Sequence, residues 1–429
     1  MTANLSAGFR LAEDLLAGLS AQSLDPPGHT RDAYGTGEQK AHDLIRRAGE
    51  ALGAAARVDG AGNLYLTLAG TQPDLPAIFI GSHLDTVPHG GNFDGAAGVV
   101  AGLGVMADLA EAGIRPARTL TVMATRAEEA AWFPLSYPGS RAAFGLMTAD
   151  ELSARRSDTG RSLAEHMAEA GFDPQALREG TRFLDPATVA AFVEVHIEQG
   201  PRLVAADAPL GIVTGIAGGC RYVTARCLGD YGHSGAEPRF ARHDAAVGFA
   251  ELVLALEREW DAVEQDGGEA TITFGRVESD PGQHGGSRIL GELGFTLDLR
   301  SGDTALLGRL QERVAACCDV IAARRGLRFD LGAPFFWDAA RMDSGLIGRL
   351  RAAAPPLGLA PPLVPSGAGH DAATFAGLGI PTAMVFVRNR NGSHNPHEAM
   401  ETADLHQAIR LLGRFVIDFD TPPAQETLP

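Results

Sequence analysis

Histidine and carboxylate side chains recur just after short apolar segments of this 429-residue sequence. Imidazole and carboxylate groups, with no thiolate among them, suit zinc, manganese, cobalt or nickel as ligands. Two such ions, bridged by one carboxylate, can share a water, lower its pKa and polarise a carbonyl oxygen. We therefore predict that two divalent ions are bound by His83, Asp94, Glu129, His196 and His394.

Glu128, immediately before Glu129, is a glutamate that need not bind metal. It could take a proton from the attacking water and deliver it to a leaving nitrogen. A lone histidine at a strand end is more often structural, and paired glutamates usually form a solvated surface. The coincidence of all five ligand positions favours a metal centre over these structural interpretations.

Four apolar segments must bring these side chains together. We predict that they are buried parallel strands, namely Ala77–Gly81, Leu120–Ala124, Ala191–Val195 and Ala383–Val387. Helical patterns separate them, including Gly98–Ala112 and Leu405–Phe419. Alternating strands and helices indicate an α/β domain with a mainly parallel sheet, which binds ligands at the carboxyl ends of its strands.

The pattern changes between residues 213 and 329. The predicted order of elements is β-α-β-β-α-β, which is typical of a ferredoxin-like α+β domain. The segments are Arg221–Leu228, Asp244–Glu264, Ala270–Val277, Gly291–Leu299, Thr304–Arg325 and Leu327–Leu331. We therefore expect a domain of residues 213–329 inserted into a metal-binding catalytic domain made of residues 1–212 and 330–429.

The composition argues against several other functions. A net charge of −17 disfavours nucleic acid and anionic membranes as partners, although a small anionic substrate is compatible with it. The sequence contains no run of eighteen apolar residues, so no membrane span is expected. Arg10, Glu13 and Asp14 interrupt the N-terminal segment, which favours an amphipathic helix over a signal peptide. Four cysteines without a CxxC pattern fit a reducing cytoplasm.

The motifs resemble those of a known family. GSHLDTVPHGGNFDGAAGV, AEE, VEVHIEQG, SGAGHDA and SHNPHE are similar to motifs of the N-carbamoyl-L-amino-acid hydrolases, allantoate amidohydrolases and β-ureidopropionases. That family lies within the aminoacylase-like superfamily of dinuclear metallohydrolases. The resemblance extends from about Thr30 to Leu411, and it implies hydrolysis of a carbamoyl or ureido C–N bond.

The resemblance also implies how the ligands are divided. One ion would be held by His83, Asp94 and His196, and Asp94 would bridge to a second ion held by Glu129 and His394. Glu128 would be the general base and acid. Asp85, two residues after His83, would orient that histidine. The histidine in VEVHIEQG, where peptidase relatives carry a carboxylate, resembles the branch that hydrolyses ureido compounds.

For the substrate, the resemblance implies a contribution from the inserted domain as a lid and as the module of a homodimer. His233 would stabilise the oxyanion of the tetrahedral intermediate, and Arg300 would bind the carboxylate of an anionic ureido or amide substrate. The predicted substrate-binding residues are Gln199, Ser287, Arg300, Gly367 and His370.

Three positions depart from the family's pattern. Trp132 follows the paired glutamates where the family often has an arginine, and its bulk should change the pocket wall. Glu237 alters the lid motif, and Ser287 replaces a substrate-binding asparagine. The leading expectation is an N-carbamoyl-L-amino acid as substrate. Allantoate, ureidoglycolate, an N-acyl amino acid or a small peptide are alternatives, as is a catalytically silent binding protein.

Overall fold

The computed structural model describes residues 6–420. The chain forms two compact units. Unit 1 contains the residues up to Thr214 and those from Met342 onward, and unit 2 is Gly215–Arg341. The sequence pattern ended the inserted segment at residue 329. The structure extends it to Arg341, because a further strand after that point pairs within the unit 2 sheet.

The part of unit 1 that precedes unit 2 supplies most of its elements. Its helices are α1 (Ala7–Ser23), α2 (Thr36–Ala51), α3 (Ala96–Glu111), α4 (Pro138–Ala143), α5 (Leu163–Glu169), α6 (Pro174–Arg178) and α7 (Arg202–Ala205). Its strands are β1 (Leu24–Asp25), β2 (Gly28–His29), β3 (Ala55–Val58), β4 (Leu64–Leu68), β5 (Ala77–His83), β6 (Leu120–Thr125), β7 (Val189–Ile197) and β8 (Leu210–Ile216).

Unit 2 begins at the end of β8. It contains the helices α8 (Ala245–Gln265) and α9 (Thr304–Arg325). Its strands are β9 (Gly218–Leu228), β10 (Gly232–His233), β11 (Thr271–Thr273), β12 (Val277–Glu278), β13 (Arg288–Ile289), β14 (Glu292–Ser301), β15 (Arg328–Asp330), β16 (Phe335–Trp337) and β17 (Ala340–Arg341). Unit 1 then resumes with α10 (Ser344–Ala353), β18 (Leu363–Ser366), α11 (Ala372–Gly377), β19 (Thr382–Val387), β20 (Asn389–Arg390), β21 (Ala399–Met400) and α12 (Thr402–Ile417).

The unit 1 sheet has the strand order β8-β19-β7-β5-β6-β4-β3. The four strands predicted from apolar segments are β19, β7, β5 and β6, and each pairs in parallel with its neighbour. The outer pairs β8–β19, β6–β4 and β4–β3 are antiparallel. The expectation of a mainly parallel sheet is therefore corrected to a mixed one. Strands β3 and β4 are joined by a short turn, which permits only antiparallel pairing.

The core of unit 1 forms around α3. This helix is buried along nearly its whole length, and α1 and α12 pack against it. The predicted N-terminal amphipathic helix is confirmed as α1, whose apolar face buries Phe9, Leu15, Leu16 and Leu19. Within the described residues, no helix is long and apolar enough to cross a membrane.

The unit 2 sheet has the strand order β11-β14-β9-β15, with every pair antiparallel. In addition, β12 pairs with β14 and β16 pairs with β9. The predicted strand Ala270–Val277 is interrupted before Val277 by a segment that contains Gly275, a residue that weakens strands. Helices α8 and α9 cover one face of the sheet, where Phe295, Leu297 and Leu299 are buried.

Candidate metal centre

The predicted ligands lie at the carboxyl-terminal edge of the parallel strands. His83 is the last residue of β5, and His196 is the penultimate residue of β7. Glu129 follows β6, and His394 lies in the segment between β20 and β21. Parallel pairing brings these strand ends to one side of the sheet, where side chains from different parts of the chain can converge.

Two of the predicted ligands, His83 and His196, converge on one oxygen of a third, Asp94. The Oδ1 atom of Asp94 lies 3.0 Å from Nε2 of His196 and 3.5 Å from Nε2 of His83. The two histidine Nε2 atoms are 3.4 Å apart. These three side chains form a group with the spacing of metal ligands.

A second group shares the same aspartate. Oδ2 of Asp94 lies 3.4 Å from Nε2 of His394, and that nitrogen lies 3.1 Å from Oε1 of Glu129. Asp94 therefore belongs to both groups, as a bridging carboxylate must. Within the described residues, Oδ1 of Asp94 is buried and accepts no hydrogen bond. Buried polar atoms normally have a partner, and a bound cation would supply one.

The histidine tautomers also suit metal binding. Nδ1 of His83 lies 3.1 Å from the carbonyl oxygen of Asp85, and Nδ1 of His196 lies 2.8 Å from the carbonyl oxygen of Ile197. A carbonyl can only accept, so each Nδ1 carries the proton. In the neutral ring the lone pair is then on Nε2, which faces Asp94. Such outer contacts fix the orientation of metal-binding histidines.

The electrostatics of the cluster favour a cation. Hydrogen bonding to Asp94 and then to Glu129 raises the pKa of His394 to about 11. Burial raises the pKa of Glu128 well above its usual range, and the negative charge of Glu129 raises it further. Asp94 differs, because burial raises its pKa but the charge of His196 and hydrogen bonds from the histidines outweigh burial and hold it well below its usual range. Glu128 is a group that can carry a proton at this site.

Comparison with known proteins agrees with this geometry. Residues 79–418 match the peptidase family M20/M25/M40. The chain belongs to this family. It is 36% identical to an N-carbamoyl-L-amino acid amidohydrolase of Geobacillus stearothermophilus, covering 86% of this chain and 88% of that protein. It is 33% identical to an allantoate amidohydrolase of Escherichia coli, covering 94% and 96% respectively.

A solved structure shows the same fold. The chain matches a hydantoinase/carbamoylase family amidase from Burkholderia ambifaria with a TM-score of 0.83 at 31% identity, covering 96% of this chain and 95% of that one. The likeness confirms the α/β fold with its large sheet. The protein is therefore a hydrolase, and it is an amidohydrolase of the carbamoylase and allantoate amidohydrolase group.

In this M20 amidohydrolase, Asp85 contacts several functional residues. Its carboxylate accepts hydrogen bonds from the backbone N–H of Glu128 at 3.0 Å and of Glu129 at 3.1 Å. Its Oδ1 also lies 3.4 Å from Nδ1 of His83. The residue is completely buried. The structure thus brings Asp85 to the histidine that it was predicted to orient, and also to the backbone of the paired glutamates.

The sequence did not identify the residues that support the bridging aspartate. Glu398 accepts hydrogen bonds from the backbone N–H of Phe93 at 2.9 Å and of Asp94 at 3.2 Å. Oγ of Ser393 lies within hydrogen-bond distance of Oδ2 of Asp94 and 2.6 Å from Oε2 of Glu398, so its single proton links the two carboxyl groups. Both residues lie in SHNPHE, so this motif was the available signal. Gln199, predicted to bind substrate, donates to Oδ2 of Asp94 at 2.8 Å.

The turn before Glu128 is held by a buried ion pair that the sequence also did not identify. Ala127 has a left-handed backbone with φ of 55°, an unfavourable conformation for a residue with a Cβ. Its N–H donates to Oε1 of Glu38 at 3.0 Å, and Glu38 accepts from Nη1 of Arg126 at 2.9 Å. No local pattern links Glu38 to residues so far along the chain.

Gly95 makes room for a ligand. It has φ of 65°, and a Cβ at this position would lie 2.5 Å from the ring of His83. A side chain at the residue after Asp94 would therefore displace a predicted ligand. Gly95, the second glycine of GNFDG, thus permits both the backbone turn and the close approach of the His83 ring.

His370 lies against the predicted ligand His196, with ring centroids 4.4 Å apart in an edge-to-face arrangement. Its Nε2 is 2.9 Å from Oγ of Ser366, and its buried Nδ1 has no hydrogen-bond partner in the part of the chain that the structure describes. Gly367 is an exposed residue of the same loop, directly after β18. Thus the SGAGHDA motif places His370 beside the candidate metal centre.

Two further buried carboxylates lie near His370. Glu194 of β7 accepts hydrogen bonds from Oγ of Ser82 at 2.9 Å and from the backbone N–H of Ala372 at 2.7 Å. Burial, followed by the charge of Asp371, raises the pKa of Glu194 to about 7. A charged residue within the apolar segment AFVEV was the signal for this group.

The remaining predicted residues belong to unit 2. His233 in β10 pairs with Arg288 in β13, and the backbone N–H of Ser234 donates to the carbonyl oxygen of Ser287 at 2.8 Å. The N–H of Glu237 donates to the carbonyl oxygen of His233 at 3.1 Å. His233, Ser287 and Glu237 are therefore neighbours within this unit.

Trp132, which is expected to change the pocket wall, is a buried residue. Its side chain is buried in a cluster with Phe133 and Leu152. Its Nε1 donates to the carbonyl oxygen of Thr86 at 2.7 Å, and the guanidinium of Arg156 lies 4.6 Å from its ring centre. The indole N–H and the ring face thus both make contacts inside the protein.

Proposed function

We propose that this amidohydrolase cleaves the carbamoyl C–N bond of an N-carbamoyl-L-amino acid or a related ureido carboxylate. The observation that carries the proposal is the histidine-rich ligand group, in which His196 joins His83 at Oδ1 of Asp94. This histidine is the feature that resembles the ureido-hydrolysing branch. The printed names of several relatives, N-carbamoyl-L-amino-acid amidohydrolases among them, support the same substrate class.

We infer that two divalent ions, zinc, manganese, cobalt or nickel, are held by five residues. These are His83, Asp94, Glu129, His196 and His394. When bound, such ions lower the pKa of a water and polarise a carbonyl oxygen. The buried Oδ1 atom of Asp94, which accepts no hydrogen bond among the described residues, supports this assignment.

The chain's own groups would move the proton. Glu128 lies with Oε2 3.9 Å from Nε2 of His83, and its backbone is fixed by Asp85. A buried carboxyl with a raised pKa can accept a proton from water and donate it to the leaving nitrogen. Glu128 is therefore the proposed general base and acid.

For substrate binding we propose the residues that the motif resemblance implies. His233 would stabilise the developing oxyanion, and Arg300 would bind the substrate carboxylate. The other proposed contacts are Gln199, Ser287, Gly367 and His370. The hydrogen bond of Gln199 to Asp94 gives it a second role, because it holds the bridging carboxylate.

Allantoate and ureidoglycolate are a second candidate substrate class. Relatives named allantoate amidohydrolase and ureidoglycolate hydrolase favour it, at 33% and 28% identity. Serine at position 287 in place of asparagine favours a substrate different from the family's common one. N-acyl amino acids are a further alternative, because the same type of hydrolysis would cleave their acyl C–N bond.

A substrate panel tests the proposal. Metal-stripped protein would be reconstituted separately with manganese, cobalt, nickel or zinc. Release of ammonia and of amine would be measured with N-carbamoyl-L-amino acids, their D-enantiomers, allantoate, ureidoglycolate and N-acetyl-L-amino acids. We expect ammonia and amine from the N-carbamoyl-L-amino acids. Release of amine from acyl substrates only would overturn the proposal, and the Glu128→Gln variant serves as the inactive control.

We further propose that the protein is a cytoplasmic homodimer in which unit 2 serves as lid and dimerisation module. The four cysteines, all without disulfide partners, support a reducing compartment. Light scattering of the purified protein would test the dimer. A monomeric mass at micromolar concentration would contradict it.

A further inference from the structure

The open face of the unit 2 sheet carries two arginines, one aspartate and one tryptophan. Alternate residues of β14 are buried against the helices, which leaves Asp298 and Arg300 on the other face. Arg221 of β9 pairs directly with Asp298, and Trp337 of β16 lies opposite Gly219. We refer to Arg221, Asp298, Arg300 and Trp337 as the arginine–tryptophan cluster.

Asp298 holds both guanidinium groups of the cluster. Nε of Arg221 donates to Oδ2 of Asp298 at 2.6 Å, and Nε of Arg300 donates to Oδ1 at 2.8 Å. The side chain of Arg221 is 40% exposed and that of Arg300 is 29% exposed. Within the cluster, two guanidinium groups thus share one carboxylate. Partly exposed guanidinium groups bind carboxylates through paired N–H donors, so the cluster suits a carboxylate ligand.

Trp337 orients the two arginines. The guanidinium carbons of Arg221 and Arg300 each lie 5.4 Å from the centre of its ring, within the range of a cation–π interaction. A Cβ at position 219 would lie 2.0 Å from the indole, so the ring packs directly on the backbone of Gly219. Its Nε1 donates to the carbonyl oxygen of Ala217 at 3.2 Å. The indole is therefore a fixed floor beneath both cations.

We propose that Arg221 is a second carboxylate-binding residue, which acts with Arg300 on the single carboxylate of the substrate. Asp298 is the positioning residue for both arginines, and Trp337 is the aromatic floor of the subsite. The inference rests on the proposed function, because it deepens the role given to Arg300. The resemblance of the motifs assigned no role to Arg221, Asp298 or Trp337.

The test compares a carboxylate substrate with its carboxamide analogue. Arg221→Ala should raise KM for an N-carbamoyl-L-amino acid about 10-fold or more, with little change in kcat, because a charge-assisted hydrogen bond is lost. The same variant should not change kcat/KM for the N-carbamoyl amino acid amide. Asp298→Asn should show the same selectivity. Arg221→Lys keeps the charge and loses the planar guanidinium group. Its KM for the N-carbamoyl-L-amino acid should therefore lie between those of the wild type and Arg221→Ala.

Arg226→Ala is the matched control. Arg226 lies on the same strand, is 51% exposed and pairs with Glu292 and Asp330. It should leave both substrates unaffected. Equal effects of Arg221→Ala on acid and amide, an unchanged KM, or a wild-type enzyme that does not discriminate between the two would overturn the inference. If Arg221→Ala does not fold, the carboxylate substrate and its carboxamide analogue are compared with Arg221→Lys and Asp298→Asn instead.

The two proposals fail separately. If only N-acyl amino acids are turned over, the proposed ureido substrate is wrong. The Arg221 comparison then proceeds with the N-acyl amino acid and its amide. If ureido acids are turned over and Arg221→Ala is indistinguishable from the wild type, only the second carboxylate-binding residue is wrong.

Discussion

The carboxylate of Asp85 accepts a hydrogen bond from the backbone N–H of Glu128 at 3.0 Å. Its other oxygen accepts from the N–H of Glu129, and its carbonyl oxygen faces Nδ1 of His83. One buried residue therefore fixes a ligand on β5 and the two glutamates that follow β6. Its role extends beyond the histidine that the sequence indicated, because it also sets the position of the proposed proton carrier.

Replacing Asp85 tests this coupling. In Asp85→Asn one acceptor oxygen becomes an NH₂ group, which faces a backbone N–H or the histidine Nδ1–H and cannot accept from either. We expect kcat/KM to fall about 10- to 100-fold, together with weaker metal binding. Steady-state kinetics and metal analysis would measure both. Asp343→Asn, at the N-cap of α10 where asparagine caps equally well, is the control and should be silent.

Replacing Glu128 separates proton transfer from metal binding. Glu128→Gln cannot carry the proton, and we expect kcat to fall about 100- to 10,000-fold. Its metal content should stay close to that of the wild type, because Glu128 is not among the five ligands. Glu129→Gln should instead lose bound metal. Retained turnover in Glu128→Gln, measured by ammonia release, would contradict the assigned role.

Metal uptake should release protons. Hydrogen bonds that His394 donates to Asp94 and Glu129 raise its pKa to about 11, so the metal-free protein holds this imidazole protonated at neutral pH. An imidazole must be neutral to bind a metal ion, so binding expels that proton and the apparent affinity should rise as pH rises. Calorimetry in buffers with different ionisation enthalpies would count the protons. His394→Ala should release fewer, and a pH-independent affinity would contradict the argument.

The sequence was informative where the structural signals are local. The four central strands are continuous apolar segments, and the ligands lie directly beyond them in short motifs, so both could be predicted. The antiparallel pairing of β3 with β4 at the edge of the sheet could not be predicted. Strand β3 is exposed at every position and shows no alternation, so its pairing with β4 had no hydrophobic signal.

Support for the site was also beyond the reach of sequence patterns. Glu38 lies in α2, yet it accepts hydrogen bonds from Arg126 and Ala127, which directly follow β6 in the chain. Such an ion pair joins two segments through tertiary packing, which periodicity does not reveal. Glu398 lies inside a recognisable motif. Its role as a hydrogen-bond acceptor nevertheless depends on the position of the loop that contains Phe93 and Asp94, which the sequence does not reveal.

Trp132 is expected to act through stability and to leave substrate choice unchanged. Trp132→Phe removes the hydrogen bond to the carbonyl oxygen of Thr86 inside the protein, which should cost about 1 kcal/mol of unfolding free energy. Denaturant unfolding would measure this loss, and the order of preference in the substrate panel should not change. Trp260→Phe is a matched control, because the buried Nε1 of Trp260 has no hydrogen-bond partner among the described residues. Its replacement should therefore cost less. A changed substrate preference with unchanged stability in Trp132→Phe would instead restore the indole to the pocket wall.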